Sequence, residues 1–115
     1  MRSRISISTS LEDSAAEADH VIETVVEDIT VKADVLRRLD AACRKEVILA
    51  SNTSQFPISK LAATTSRPDR VIGSHWFNPP PVMKLIEITR GVETSDATLE
   101  TTPPNVRYLE RLREA

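Results

Sequence analysis

His75 and Glu87 are the residues of this 115-residue chain best suited, by type and spacing, to move a proton. They stand in V-I-G-S-H-W-F-N-P-P-P-V-M-K-L-I-E-I-T, residues 71–89, where two apolar, β-branched runs flank the prolines Pro79 to Pro81. A strand that ends in His, turns on Asn-Pro-Pro-Pro and returns with a Glu brings an imidazole and a carboxylate onto neighbouring segments. That is the raw material of a general acid/base pair. Asn78 and the single tryptophan, Trp76, share the mouth of the corner. The same spacing also describes, and by itself favours, a buried hairpin-like corner around a satisfied core histidine.

The elements that must position these groups follow from periodicity. Arg4 to Thr9 alternates, with Ile5 and Ile7 on one face, and reads as a short strand. Ser10 with Asp13 is a capping signal for a helix over Leu11 to Ala18. His20 to Val26 is nearly continuous in β-branched residues, the pattern of a strand buried on both faces, with His20 structural. Asp28 or Thr30 then caps a helix over Thr30 to Arg44. Its inner side is Val31, Val35, Leu36, Leu39 and Ala42; Lys32, Arg37, Arg38 and Asp40 take the wet side. Glu46 to Ala50 is a further buried strand, and Ser51 to Phe56 a polar loop. Pro57 opens a helix to about Ala63. After a turn at Ser66 to Asp69 come the strands Val71 to His75 and Met83 to Thr89. Thr94 to Glu100 begins like a capped helix that Pro103-Pro104 cuts, and Val106 to Ala115 reads as a short amphipathic helix.

Strands alternating with helices in this order are the pattern of an α/β sheet with mainly parallel strands. Functional loops of such sheets lie at the carboxyl ends of the strands. Glu27-Asp28, Ser51-Asn52-Thr53-Ser54 and His75-Trp76-Phe77-Asn78 all fall at such ends, which raises the weight of a site above that of a bland corner. Each has a plain alternative. Glu27 and Asp28 suit a helix N-terminus, Lys32 a solvated helix face, and Asn52 to Ser54 a turn bonded to its own backbone.

Composition excludes several classes. The formal charge of −2, with no basic block and 3% aromatics, argues against a nucleic-acid surface. No apolar run approaches the ~20 residues of a membrane span. Cys43 is the single cysteine, so no internal disulfide forms, which fits a reducing compartment. No spacing of metal-ligating residues occurs. The two glycines, Gly73 and Gly91, stand too far apart for a glycine-rich phosphate loop.

Four stretches at matching spacing carry a resemblance: A-D-H-V-I-E-T-V-V-E-D-I-T-V-K (18–32), I-L-A-S-N-T-S (48–54), R-P-D-R-V-I-G-S-H-W-F-N-P-P-P-V-M-K-L-I-E-I (67–88) and R-G-V-E-T-S-D (90–96). Together they resemble the NAD-binding domain of L-3-hydroxyacyl-CoA dehydrogenases over roughly residues 4–99. The resemblance implies a partial, Rossmann-like, doubly wound sheet over residues 1–99, with 100–115 a divergent tail in a short helix. It implies NAD as cofactor, an acyl-CoA substrate, and oxidation of L-3-hydroxyacyl-CoA to 3-oxoacyl-CoA. Residue by residue, His75 is similar to the general base and Glu87 to the carboxylate that orients it. Ser54 resembles the hydroxyl on the substrate's 3-oxygen, and Asn78 a member of the same polar cluster. Glu27, Lys32 and Asn52 match positions on the nicotinamide-ribose side of NAD.

Against that family, the G-x-G-x-x-G turn, the strands around it and a C-terminal helical domain are not among these residues. In the usual strand order 3-2-1-4-5-6, Arg4 to Thr9 resembles the third strand and His20 to Val26 the fourth. The fourth is then expected to show a bare edge and to favour self-association or a homodimer. Turnover by these 115 residues alone is not expected. A non-catalytic remnant, or a structural or interaction module like the crystallin branch of the family, is the alternative from another class. The expected setting is the cytoplasm, or the mitochondrial matrix or peroxisome of a eukaryotic cell.

Overall fold

Helix α1 (Leu11–Glu17) starts where the Ser10 hydroxyl accepts the Asp13 N–H. In the computed structural model, residues 5–53, 55–76, 85–101 and 107–112 are described. Strand β1 (His20–Glu23) follows, then α2 (Ile29–Ala42), capped by Asp28, whose carboxylate accepts the N–H groups of Thr30 and Val31. Strand β2 (Ile48–Ser51) leads to α3 (Ile58–Ala62), and Pro57 supplies the preset φ at its N-cap. A 3-10 turn at Pro68–Arg70 precedes β3 (Val71–Trp76). Beyond β4 (Leu85–Arg90), a one-turn helix α4 (Asp96–Leu99) is capped by Ser95, and β5 (Arg107–Leu112) ends the described chain.

The strands form one sheet in the order β1-β2-β3-β4-β5. β1, β2 and β3 are parallel, their crossovers made by α2 and α3; β3 and β4 are antiparallel; β4 and β5 are parallel. Leu36 and Leu39 of α2 and Ile58 and Leu61 of α3 close over Leu49 and Val71 on one face. Ile48, Ala50, Ile72, Ile86 and Ile88 form a second apolar layer, with Leu99 against it. β2 is buried along its whole length because it has a strand on each side and apolar residues on both faces.

Both glycines serve close packing. A Cβ on Gly73 would lie 2.9 Å from Ile58 Cδ1 and 2.9 Å from Thr89 Cβ, so α3 can rest on the sheet only over a bare backbone. A Cβ on Gly91 would meet the Ser59 backbone N at 3.1 Å. The C-terminus of α2 is held by Arg67, which is buried. Its Nε and Nη atoms donate to Asp40 Oδ1 at 2.7 Å and to the carbonyls of Asp40, Cys43, Arg44 and Val47. One guanidinium thereby satisfies carbonyls that the helix end leaves without partners.

Several expectations are corrected. Residues 5–9 form no strand, and Ile5 and Ile7 are exposed, because alternation makes a strand only where a partner edge is available. β1 is shorter than His20–Val26 and is an edge strand with a half-exposed Ile22, not one buried on both faces; His20 is exposed. On α2 the inner stripe includes Lys32 in place of Val31, which is exposed. The tail is not a helix: residues 107–112 pair with β4, whose free edge outweighs a weak helical period. The corner prolines and Met83 lie outside the described residues. Among the described residues no helix is long and apolar enough to cross a membrane.

Candidate active site

The carboxyl ends of β1, β2 and β3 lie along one edge of the sheet, the edge at which open α/β sheets receive ligands. The register carries a row of residues across it: Glu23 opposite Ser51, Ser51 opposite Gly73, Gly73 opposite Thr89. Two residues further along β3, His75 stands opposite Glu87 of β4. Residues opposite each other in an antiparallel pair project to the same face, with Cβ atoms ~4.5–5.5 Å apart. Side chains two residues apart share that face, so the contact of position Gly73 with Ile58 places His75 and Glu87 on the α3 side. Glu87 is buried and His75 half-buried. A carboxylate fixed beside an imidazole can set its tautomer and stabilise the imidazolium formed when it takes a proton.

A second polar group occupies the ends of β1 and β2 and the start of α2. The Lys32 ammonium is fully buried, 2.7 Å from Glu23 Oε2 and 3.1 Å from Glu27 Oε1, and donates to the Val25 carbonyl at 3.2 Å. Glu23, also buried, accepts the Ser51 hydroxyl and the Val25 N–H. Glu27 keeps 28% of its side chain exposed, and its Oε2 accepts the Thr53 hydroxyl at 2.9 Å. Thr53 Oγ1 in turn accepts the N–H groups of Gln55 and Phe56, which fixes the loop after β2. Buried charges persist only when paired and hydrogen-bonded, and this chain of contacts meets that demand.

Asn52 sits between these groups, its N–H donating to the Glu23 carbonyl at 2.8 Å. Its Oδ1 is buried with no hydrogen-bond partner among the described residues. An unmet buried acceptor costs about 1–3 kcal/mol, and a ligand that brings a donor removes that cost. The exposed part of Glu27 offers an anionic acceptor at the same edge. Acceptors of this kind suit the hydroxyl and carboxamide donors of a nicotinamide riboside, so the residues present fit that part of NAD. Neither glycine is placed to cradle a pyrophosphate, since both are used in packing α3.

Of the residues singled out in the sequence, His75 and Glu87 are brought face to face, and Glu27, Lys32 and Asn52 fall in one polar group. Ser54 and Asn78 lie outside the described residues. The solvated position expected for Lys32 is overturned: the Glu23 and Glu27 carboxylates hold its ammonium inside the fold. Sequence reasoning missed Glu23, Ser51 and Thr53. The available signal was a lone Glu inside an apolar strand and hydroxyl residues closing the next one. The thiol of Cys43, at the end of α2, has its pKa raised by burial, which the nearby Arg67 charge only partly offsets, so it makes a poor nucleophile. Among the described residues no cluster of metal-ligating side chains occurs.

Comparisons with known proteins agree with this geometry. Residues 1–112 match the 3-hydroxyacyl-CoA dehydrogenase NAD binding domain family. A probable 3-hydroxybutyryl-CoA dehydrogenase of Bacillus subtilis is 53% identical over 95 residues, 83% of this chain and 33% of the relative. The mitochondrial hydroxyacyl-coenzyme A dehydrogenase of Sus scrofa is 43% identical over 86% of this chain and 32% of its own length. The crystal structure of (S)-3-hydroxybutyryl-CoA dehydrogenase PaaH1 from Ralstonia eutropha superposes with a TM-score of 0.91 at 42% identity, over 98% of this chain and 41% of that one. The chain thus spans about a third of the length of the curated relatives it matches. It belongs to the family of NAD-binding domains of 3-hydroxyacyl-CoA dehydrogenases.

Proposed function

We propose that this chain is the nucleotide-binding part of an NAD-dependent oxidation of L-3-hydroxyacyl-CoA to 3-oxoacyl-CoA. The observation that carries the reading is the pairing of His75 with Glu87 at the carboxyl edge of the sheet, on the face shared with α3. His75 takes the proton of the substrate's 3-hydroxyl, and Glu87 holds the imidazole and steadies its positive charge. NAD, when bound, supplies the acceptor for the hydride that leaves the same carbon. Glu27 and Asn52 meet the donors of the nicotinamide riboside with acceptors already in place, so little reorganisation is needed on binding. Ser54 and Asn78, at the ends of the same loops in sequence, complete the polar contacts to the 3-oxygen.

The test is NADH formation by the purified protein from NAD+ and L-3-hydroxybutyryl-CoA, with the D-isomer as control. NADH formed from the L-isomer alone supports the reading, and no NADH with either isomer contradicts it. A second reading is favoured by a specific feature. Ile22 and Val26, on and just after the edge strand β1, and Ile5 and Ile7 before it are exposed, and such an edge recruits a further strand or a second copy. On that reading the chain is an association module that does no chemistry, and sedimentation analysis would find a stable oligomer in the absence of turnover.

A further inference from the structure

Glu23 is the most deeply buried carboxylate at the carboxyl edge of the sheet, and it touches nothing that could be a substrate. Its side chain and that of Lys32 are each 0% exposed. It reaches three segments at once: the Ser51 hydroxyl at the end of β2, the Val25 N–H in the loop after β1, and the Lys32 ammonium on α2. An ammonium has three N–H donors. Those of Lys32 meet Glu23 Oε2, Glu27 Oε1 and the Val25 carbonyl, at 2.7, 3.1 and 3.2 Å. Lys32 therefore has no donor left to offer a ligand without giving up a buried partner. Two carboxylates share one ammonium, so the cluster carries a net negative charge, and Glu27 is the member that reaches solvent.

We propose that Glu23 is a positioning residue: with Ser51 it anchors the Lys32 ammonium, and Lys32 then orients Glu27 toward the cofactor in place of contacting the cofactor itself. The proposal rests on the reading that this edge of the sheet receives the nicotinamide riboside. It assigns Lys32 a different task from Glu27, although both lie at the edge where a ligand would arrive. Removing Glu23 would free the ammonium to swing and would leave Glu27 without a fixed partner.

Side-chain NMR of the full chain tests this, with lysine ammonium groups labelled with nitrogen-15, glutamate carboxyls with carbon-13, and NAD+ as the probe. In the unaltered protein, a solvent-protected ammonium signal from Lys32 is expected. NAD+ should shift the Glu27 carboxyl more than the Lys32 ammonium. Glu23→Gln should speed ammonium hydrogen exchange by about tenfold or more and weaken NAD+ binding by about tenfold, the factors expected on losing a charge-assisted hydrogen bond, while the backbone spectrum stays dispersed. An unprotected Lys32 ammonium in the unaltered protein, or one indifferent to Glu23→Gln, would overturn the proposal. So would an NAD+ shift larger at Lys32 than at Glu27. Should Glu23→Gln fail to fold, Ser51→Ala reads the same link without removing a charge; faster ammonium exchange supports the anchor, and unchanged exchange overturns it. A protected ammonium that Glu23→Gln exposes, with no NAD+ shift at any residue, would overturn the nucleotide reading alone and leave the anchoring of Lys32 supported.

Discussion

His75 on β3 is paired with Glu87 on β4 across an antiparallel ladder, in a sheet whose other described pairings are parallel. The reversal matters for the site. A parallel neighbour would run the same way as β3 and return only after a long crossover. The antiparallel return lets one short segment, residues 71–90, supply both the base and the carboxylate that orients it. The two residues then depend on strand register for their alignment. A one-residue slip would send them to opposite faces.

The buried Lys32 cluster predicts a sharp asymmetry between single and double substitutions. Lys32→Met leaves Glu23 buried without its cation and should cost about 3–5 kcal/mol. Adding Glu23→Gln removes the stranded charge and should recover a large part of that loss. Urea unfolding of the two single variants and the double variant measures the coupling. Strict additivity would show that the two side chains do not act as a pair.

Arg67 should be among the most costly surface-to-core links to cut. Arg67→Ala removes the partner of Asp40 and uncaps four carbonyls around the end of α2, a loss of about 3–5 kcal/mol for breaking a buried pair. Arg67→Lys keeps the charge but has fewer donors in a different geometry, so it should fall between the two. Denaturant midpoints rank the three proteins, and amide exchange in the last turn of α2 should rise in the same order.

The same pair gives the fold an acid-sensitive term. Burial alone would raise the Asp40 carboxyl, but the Ser66 N–H and hydroxyl and the Arg67 guanidinium outweigh it and hold its pKa below the usual carboxylate range. A carboxyl with a depressed folded pKa contributes its full stability above its unfolded pKa. That contribution is lost as pH falls through the folded value. Asp40→Asn should therefore flatten the acid limb of a stability-against-pH curve while lowering stability near neutrality. An unchanged acid limb would show that the Asp40 contact contributes nothing.

Gly73→Ala should destabilise by about 1–3 kcal/mol through overpacking. The added methyl falls 2.9 Å from both Ile58 Cδ1 and Thr89 Cβ, and Thr89 belongs to the neighbouring strand and cannot easily retreat. Gly73→Ala combined with Ile58→Val should regain part of the loss, since the shorter side chain vacates the Cδ1 position. Thermal unfolding of the single and double variants reads the difference.

Much of this arrangement was legible in the sequence because it is local. The Asp28 cap, the α2 stripe from Leu36 to Leu39, the buried run ending at Ala50 and the Pro57 start of α3 each follow from neighbours a few residues apart. The return of Glu87 toward His75 was legible from the proline corner between two apolar runs. What was not legible depends on distant partners. Lys32 is inside because Glu23, nine residues earlier and on another element, meets it there. Helical period alone assigns such a residue to water. Residues 107–112 become a strand because β4 offers an edge, and residues 5–9 do not because none is offered to them.

The assignment of His75 as base is tested most directly by steady-state turnover of NAD+ and L-3-hydroxybutyryl-CoA with the unaltered protein and with His75→Ala and Glu87→Gln. The expected result is a fall in kcat of about 10²–10⁴-fold for His75→Ala, the range that a positioned general base contributes. Glu87→Gln should show a smaller fall, and the Kd for NAD+ should change little in either variant. Undiminished turnover by His75→Ala, or loss of turnover that tracks loss of NAD+ binding, would contradict it.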